Sequence, residues 1–377
     1  MKRVLVTGAK GFIGRNLSKR LMDVDDLEVF LYDVENNEEE LKAWLNQADV
    51  VFHLAGINRP KNVEEYETGN AEFTKKICDI MRQLRRTPKI VMSSSIQAEQ
   101  DNLYGVSKRR AEKSLQAFSQ EAGAPVSIYR LKNVFGKWCL PDYNSVTATF
   151  CHNIARDLPI SISDPAREIE LVYIDDIVTR FLEEMSDPSG PENCFALDTI
   201  PSTRITLGDL AGRIQAFHDM NDNLMTPDFS ERFNRCLYAT YLSYVRPETL
   251  EYGLEIKVDS RGNMAEFIKS RHFGQIFVSR THPGITRGNH YHHTKTEKFL
   301  IIAGEGLIRM RHIEGDDVIE YRVRGKDYRV IDIPPGHTHS ITNIGEEEMI
   351  TLFWASEVFD PNRPDTCYLE VDSSSKQ

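Results

Sequence analysis

The chain has 377 residues, of which 40% are hydrophobic and 27% charged, and its formal net charge is −11 at pH 7. This length favours two or more domains, and the acidic balance argues against nonspecific binding to nucleic acid or to anionic membrane. Six cysteines without a CxxC pair, and no apolar run long enough to span a bilayer, favour a cytoplasmic protein whose partners are small molecules.

The first predicted elements are a strand, a glycine turn and a helix. A β-branched run from Lys2 to Thr7 precedes Gly8, Gly11 and Gly14, which a helical pattern follows. Glycines let the backbone approach a pyrophosphate, and the helix N-terminus supplies amides and a favourable dipole. The sequence therefore predicts a dinucleotide site. Its expected contacts lie in the glycine loop and at the end of a later strand: Gly8, Lys10, Gly11, Phe12, Ile13, Gly14, Leu54, Ala55 and Gly56.

Two residues give conflicting indications of the nicotinamide cofactor. Asp33 ends the second predicted strand, nineteen residues after Gly14, where a carboxylate can accept from an adenosine ribose and favour NAD(H). Lys10 lies in the glycine loop, where it could contact a 2′-phosphate and favour NADP(H). His53, in the third predicted strand, is expected to be a packed histidine and not a catalyst.

A run of three serines and a YxxxK pair follow the next predicted strand. Tyr104 and Lys108 are four residues apart on a predicted helix and share a face. We expect the ammonium to lower the pKa of the phenol, which would make Tyr104 a proton donor to a carbonyl during hydride transfer. Ser95 is the expected hydrogen-bond partner of the same oxygen, with Ser94 as the alternative.

The glycine loop, the small residues after His53, the serines and the YxxxK pair together resemble the extended short-chain dehydrogenase/reductase family over residues 1–243. The resemblance implies an α/β, Rossmann-like, doubly wound parallel sheet and a nucleotide-sugar substrate. It also implies Asn133 and Arg167 as possible substrate contacts, although Arg167 could be a solvated loop charge. Tyr104 follows Ser95 after only nine positions, a shorter interval than the family usually shows.

A break in the helical pattern at Arg246 to Glu248 predicts a domain boundary, with residues 1–244 in one domain and 245–377 in the other. Helical patterns from Leu207 to His218 and from Phe229 to Tyr244 precede the break. Short alternating runs separated by Gly, Pro and Asp follow it and predict an all-β barrel or jelly roll. The tail from Ser373 to Gln377 is expected to be disordered.

Three histidines and a glutamate in the second domain have the spacing of metal ligands. His290 and His292 are two residues apart on a predicted strand and share a face, and Glu297 follows after a short turn. The later run from Pro334 to His339, which contains two histidines, offers a fourth ligand. Three imidazoles and one carboxylate suit zinc or another borderline divalent ion. A histidine-rich surface turn is the alternative.

These segments and their flanking glycines resemble the two-part cupin signature over residues 253–370. The resemblance implies that His290, His292, Glu297 and His339 hold the metal. The same region resembles the deoxysugar 3,5-epimerases, which implies that Lys298 stabilises an enolate and that Phe353 occupies the position of a proton-donating tyrosine. The two patterns assign His290 as ligand and as base. We interpret His290 as a ligand, because a histidine held by zinc cannot act freely as a base. The C3 base is left open between Lys298 and nearby polar groups.

The whole chain resembles the CapF-type enzymes of capsular and O-antigen polysaccharide synthesis, through residues 93–108 and 135–151. The resemblance implies C3 epimerisation of UDP-2-acetamido-2,6-dideoxy-4-hexulose by the cupin, and reduction of its C4 ketone to the UDP-L-talose derivative on the way to UDP-N-acetyl-L-fucosamine. It also implies NADP(H) and a divalent metal, and by analogy we expect a homodimer. The alternatives are a reductase with a noncatalytic cupin, or an independent metal-dependent isomerase or oxygenase in the cupin.

Overall fold

The computed structural model of the protein describes residues 1–187 and 195–372. The predicted disordered tail and residues 188–190 of the predicted loop lie outside these ranges. The described chain forms two compact units. The first contains Met1–Ile214 and Arg235–Val245, and the second contains Gln215–Asn234 and the chain from Arg246 onward. The predicted domain 1–244 therefore includes a segment, residues 215–234, that packs with the second unit.

The first unit is built on a parallel sheet. Its described strands are β1 (Lys2–Thr7), β2 (Leu27–Tyr32), β3 (Val50–His53), β4 (Lys89–Ser95), β5 (Val126–Leu131), β6 (Asn133–Phe135), β7 (Glu168–Tyr173), β8 (Phe195–Asp198) and β9 (Thr203–Thr206). Six of them form the parallel sheet in the order β2-β1-β3-β4-β5-β8, and β6, β7 and β9 form a small separate sheet. The predicted Rossmann-like sheet is confirmed.

Helices cover both faces of the parallel sheet. The described helices of the chain are α1 (Phe12–Leu21), α2 (Glu38–Gln47), α3 (Phe73–Leu84), α4 (Leu103–Ala122), α5 (Val146–Ile154), α6 (Ile174–Ser186), α7 (Leu207–His218), α8 (Met220–Asn223) and α9 (Arg232–Leu242). Helices α1 and α6 pack with Val4 and Val6, whereas α2, α3 and α4 pack on the other face with Leu5. Burial on both faces explains why the centre of β1, residues 4–6, is a continuous apolar run. Among the described helices, none has the length and apolar character that a membrane crossing requires.

The second unit is built from antiparallel strands. They are β10 (Ile256–Asp259), β11 (Gly262–Ser270), β12 (Gly274–Thr281), β13 (Thr286–Tyr291), β14 (Glu297–Ala303), β15 (Glu305–His312), β16 (Val318–Arg324), β17 (Val330–Ile333), β18 (His337–Asn343), β19 (Met349–Ala355) and β20 (Cys367–Tyr368). They form sheets in the orders β10-β11-β12-β19-β14-β17 and β16-β15-β18-β13-β20. Side chains of both sheets, such as Phe299, Phe353 and Ile308, share one core. The all-β character predicted for this region is confirmed.

Candidate active sites

The glycine loop joins β1 to α1 and brings the backbone close to the end of β3. Gly8 has a φ of +68°, and a side chain there would lie 2.7 Å from the backbone of Ala55. A side chain on Gly14 would lie 2.0 Å from the carbonyl oxygen of Gly8. Both positions therefore require glycine. The N-terminus of α1 at Gly11 has neither a side-chain cap nor an acidic residue in its first turn, so its amides can bind a phosphate.

Asp33 and Lys10 lie together beside this loop. One carboxylate oxygen of Asp33 accepts the backbone N–H of Lys10 at 2.7 Å, and the other accepts that of Val34 at 2.9 Å. The Lys10 ammonium pairs with Glu35 at 2.8 Å, and both side chains are more than half exposed. An ion pair so exposed contributes little to stability, so Lys10 is available to an anionic ligand. Asp33, which favours NAD(H), and Lys10, which favours NADP(H), therefore both lie where they could contact the adenosine ribose of a cofactor.

A cavity of about 500 Å³ opens at the carboxyl ends of the parallel strands, where ligands bind in open α/β sheets. Most of the residues predicted for cofactor, catalysis and substrate line it: Gly8, Lys10, Gly11, Phe12, Ile13, Gly14, Leu54, Gly56, Ser95, Tyr104, Lys108 and Asn133. Asp33 and Ala55 lie outside this lining, although Ala55 contacts Gly8. Arg167 is exposed in the loop before β7 and does not line the cavity, which fits the alternative of a solvated charge.

Tyr104, near the start of α4, and Ser95, at the end of β4, both line this cavity. The hydroxyl of Ser94 donates to the buried carboxylate of Glu112 at 2.5 Å, so Ser95 is the serine whose hydroxyl remains for a substrate. Burial raises the pKa of Tyr104 to about 12, and the Ser95 hydroxyl opposes this only in part. The pKa of Tyr104 is therefore raised and not lowered as predicted, because burial of the phenol dominates.

The ammonium of Lys108 is buried and donates to the backbone carbonyl of Ser93 at 3.3 Å. Burial lowers the pKa of Lys108 to about 8, and the carboxylate of Glu112, one helical turn further along α4, opposes that shift. Arg130 on β5 holds Glu112 through two hydrogen bonds of 3.1 and 2.7 Å. The sequence prediction missed Glu112. Its signal was the repeat of the four-residue interval that separates Tyr104 from Lys108.

Asn70 is a second buried residue that the prediction missed. It lies in a π-helical turn, Glu67–Glu72, that directly precedes α3, and its side-chain N–H donates to the hydroxyl of Ser107 at 3.0 Å. A side chain on Gly56 would lie 2.9 Å from the Asn70 oxygen and 2.8 Å from the Lys108 ammonium. Glycine at this position therefore leaves room for both groups beside the cavity. Turns of this kind often occur at functional sites.

His53 is a packed, neutral histidine, as the sequence predicted. Its Nδ1 lies 2.8 Å from the hydroxyl of Thr7, and its Nε2 lies 2.8 Å from that of Thr74. The Thr74 hydroxyl donates to the carbonyl of Asn70 at 2.6 Å, so the same oxygen accepts from Nε2–H. Burial lowers the pKa of His53 to about 3.

The four predicted metal ligands lie together in the second unit. His290 is on β13, His292 follows that strand, Glu297 begins β14 and His339 is on β18. One ligand atom from each of the four lies within 4.8 Å of the others. A bulge at Asn289, whose φ is +57°, immediately precedes His290 and turns it towards the cluster.

Backbone carbonyls orient the imidazoles of His292 and His339 so that one nitrogen of each ring remains to bind a metal. His292 Nδ1 lies 2.5 Å from the carbonyl of Asp365, and His339 Nδ1 lies 3.2 Å from that of His337. The Nε2 atoms of both rings are buried without a hydrogen-bond partner. They lie 3.4 and 3.3 Å from one carboxylate oxygen of Glu297. This donor set fits a divalent metal such as zinc, whose histidine ligands usually donate their second nitrogen to an oxygen.

The charge state of the cluster also suits a cation. Burial lowers the pKa of His290 to about 4, which keeps this imidazole neutral. Burial raises the pKa of Glu297, but His292 and His339 outweigh burial and hold that pKa well below its ordinary range. Neutral imidazoles and an ionised carboxylate are the forms that bind metal.

Lys298 does not lie with the metal ligands. It is exposed on the opposite face of β14 from Glu297, where it pairs with Asp332 and lies 6.0 Å from the ring of Trp354. The prediction that Lys298 acts beside His290 is therefore wrong, because successive side chains of a strand point to opposite faces. Phe353 is buried and packs against Phe299, with ring centroids 4.6 Å apart.

Both units of the chain match known protein families. Residues 4–193 match the sequence model of the NAD dependent epimerase/dehydratase family, and residues 257–367 match that of the polysaccharide biosynthesis C-terminal domain. The chain is 43% identical over 364 residues to UDP-2-acetamido-2,6-beta-L-arabino-hexul-4-ose reductase of Pseudomonas aeruginosa, with 97% of each chain covered.

Solved structures agree with these matches. The capsular polysaccharide assembling protein CapF from Staphylococcus aureus is 44% identical with a TM-score of 0.89, covering 97% of this chain and 99% of that one. UDP-glucuronic acid 4-epimerase from Bacillus cereus, in complex with NAD, is 18% identical with a TM-score of 0.54 and covers 64% of this chain and 98% of that one. The second likeness shows the fold alone. The chain therefore belongs to the NAD-dependent epimerase/dehydratase family, as a CapF-type enzyme that carries a polysaccharide biosynthesis C-terminal domain.

Proposed function

We propose that the first unit reduces the C4 ketone of a UDP-linked 2-acetamido-2,6-dideoxy-4-hexulose to the UDP-L-talose derivative, in the pathway to UDP-N-acetyl-L-fucosamine. The observation that carries this proposal is that Tyr104, Ser95 and Lys108 line the same cavity as the glycine loop. The similar protein of Pseudomonas aeruginosa is named as a reductase of UDP-2-acetamido-2,6-beta-L-arabino-hexul-4-ose.

In this reaction the nicotinamide, when bound, supplies a hydride to C4. Tyr104 donates its phenolic proton to the C4 oxygen, so the ketone becomes a hydroxyl group. The raised pKa of about 12 keeps Tyr104 protonated over the whole range in which enzymes work. Ser95 hydrogen-bonds to the same oxygen and orients it, and the buried charge of Lys108 stabilises the phenolate that forms.

The cofactor that we propose is NADP(H), with Lys10 as the contact of the 2′-phosphate. The ammonium of Lys10 is exposed and can exchange Glu35 for a phosphate, whereas the Asp33 carboxylate is already bonded to the loop backbone. The ratio of kcat/KM for NADPH to that for NADH tests this. Lys10→Ala should lower the ratio, and Asp33→Asn should not. A ratio unchanged by Lys10→Ala would exclude this contact.

We propose further that the second unit is a cupin that inverts C3 of the 4-keto sugar before its reduction. The C3 proton is acidic because its loss gives an enolate conjugated with the C4 oxygen. His290, His292, Glu297 and His339 would hold a divalent metal, and such an ion supplies positive charge that stabilises an enolate.

A second candidate is a reductase whose second unit binds or dimerises without catalysis. The observation that favours it is the position of Lys298 on the outer face of β14, together with a phenylalanine, Phe353, packed in the core. Both are positions at which the related epimerases were expected to provide catalytic groups. This candidate predicts no proton exchange at C3.

Deuterium exchange at C3 of the 4-keto sugar, in heavy water without nicotinamide, distinguishes the two functions. We expect the full-length enzyme and its Tyr104→Phe variant to exchange the proton, and Glu297→Gln to lose exchange. With NADPH present, Tyr104→Phe should lower the rate of reduction by about 10²- to 10⁴-fold. No exchange by the wild-type enzyme with intact reduction would support the second candidate, and a fully active Tyr104→Phe would contradict the proposed reductase.

A further inference from the structure

Asp365 lies far along the chain from the metal ligands and yet contacts the turn between two of them. Its carboxylate accepts the backbone N–H groups of His293, Thr294 and Lys295 at 2.9, 3.0 and 2.9 Å. The Thr294 hydroxyl donates to the same carboxylate at 3.1 Å. This turn joins His292 to Glu297, so the carboxylate fixes the spacing of two ligands.

The backbone of Asp365 binds the ligand itself. Its carbonyl oxygen accepts from Nδ1 of His292 at 2.5 Å. The proton of the imidazole is therefore on Nδ1, and the lone pair is on Nε2, which is buried and lacks a hydrogen-bond partner. Asp365 thus fixes both the turn that follows His292 and the tautomer of the His292 imidazole.

The conformation of Asp365 is unusual for a residue with a side chain. Its φ is +40°, in the left-handed region that favours glycine. Backbone strain of this kind persists only where surrounding contacts over-determine the conformation, and it clusters at functional sites. The four bonds to the carboxylate and the bond to His292 supply these contacts.

The chain after Asp365 is anchored along β13 and β15. The backbone N–H of Leu369 donates to the carbonyl of Asn289 at 2.9 Å, and Arg309 makes two bonds of 2.7 and 2.6 Å to the carboxylate of Asp372. Buried Arg311 donates to the carbonyls of Glu370 and Val371. The segment 365–372 is therefore held against the strand that carries His290.

We propose that Asp365 is a positioning residue for the metal site and that the segment 365–372 forms the outer shell of that site. The inference rests on the proposed metal-binding function of the second unit. Residues that orient metal ligands in this way change metal affinity by about 10- to 100-fold when they are replaced.

The test compares Asp365→Asn with Asp360→Asn in the full-length protein. Asp360 precedes Asp365 in the same connection and makes an exposed bond of 2.9 Å to the N–H of Asn362, so it is a matched control. An asparagine at 365 keeps the size of the side chain but places an N–H₂ group among backbone donors. Zinc affinity is measured by competition with a chromophoric chelator, and ligand geometry by the visible spectrum of the cobalt(II)-loaded protein.

We expect Asp365→Asn to weaken zinc binding by about 10- to 100-fold and to change the cobalt spectrum, and Asp360→Asn to do neither. Circular dichroism and thermal unfolding of Asp365→Asn, compared with those of Asp360→Asn, report whether the variant is folded. If Asp365→Asn does not fold, Asp365→Gly removes the carboxylate and relieves the backbone strain. Zinc affinity and a cobalt spectrum equal to wild type in a folded Asp365 variant would overturn the inference. A wild-type protein that binds no zinc would instead overturn the proposed metal site.

Discussion

Glu297 and Lys298 are adjacent in the chain, yet their side chains lie on opposite faces of β14. Glu297 is 8% exposed and contacts His292 and His339, whereas Lys298 pairs with Asp332 at the surface. The two residues, which the sequence analysis placed in one site, therefore lie in different surroundings. Substituting each of them tests which face of β14 carries the proposed metal binding and C3 exchange.

We predict that Glu297→Gln loses metal and that Lys298→Ala retains it. The first change removes the charge of a buried ligand, and the second breaks an exposed ion pair that contributes little. Metal content by elemental analysis and C3 exchange in heavy water check both variants. Loss of exchange in Lys298→Ala with metal retained would contradict the assignment of this lysine to the outer face.

The two serines at the end of β4 are predicted to differ in effect. Ser95→Ala removes the hydroxyl proposed to orient the ketone beside Tyr104, so the rate of reduction should fall with little change in melting temperature. Ser94→Ala leaves the buried carboxylate of Glu112 with one donor fewer and should lower the free energy of unfolding by about 1–3 kcal/mol. Steady-state kinetics and thermal unfolding measure the two effects. The reverse pattern would make Ser94 the catalytic serine.

The rate of reduction should depend on the protonation of Lys108. Its pKa is lowered to about 8 by burial, so the ammonium is charged below that pH and becomes neutral above it. Tyr104 stays protonated throughout, because its pKa is about 12. We therefore expect kcat/KM to be constant at lower pH and to fall as pH rises through about 8.

Glu112 provides the control for this pH profile. Its carboxylate raises the pKa of Lys108 against the effect of burial. Glu112→Gln should therefore shift the alkaline fall of kcat/KM to lower pH. A fall at the same pH in both proteins would show that another group controls the profile.

Two glycines in helices are predicted to respond oppositely to alanine. Gly14→Ala places a methyl group 2.0 Å from the carbonyl oxygen of Gly8, so it should destabilise the protein by about 1–3 kcal/mol and weaken cofactor binding. Gly212, in α7, has no atom from outside its own stretch of helix within 4 Å of the added carbon, and Gly212→Ala should be neutral or stabilise by up to about 1 kcal/mol. Thermal unfolding and NADPH titration measure both. Equal melting temperatures would contradict the close packing of the glycine loop.

Local sequence patterns were sufficient for the parallel sheet, the glycine loop and the grouping of His290, His292 and Glu297, each of which depends on spacing within a few residues. His339 was added to this group by the resemblance to the cupin signature. The alternation of side chains along a strand already predicts that Lys298 points away from Glu297. The prediction for Lys298 was wrong because it followed the resemblance to the epimerases and did not apply this alternation. The pKa of Tyr104 could not be predicted in the same way, because its burial depends on elements distant in the chain. Asp365 is likewise 73 residues from His292 and has no spacing pattern that links the two.

The path of the chain between the two units limits how they can be separated. It passes to the second unit after Ile214, returns at Arg235 and leaves again after Val245. In the segment 215–234, Leu224 and Thr226 form backbone hydrogen bonds of 2.8 Å with Lys269 of β11. A gene truncated after residue 244 would encode the segment 215–234 without its partner strand β11. A gene for residues 245–377 alone would lack that segment. No single cut yields both units whole, so their independent expression requires a rejoined chain in which residues 215–234 move with the second unit.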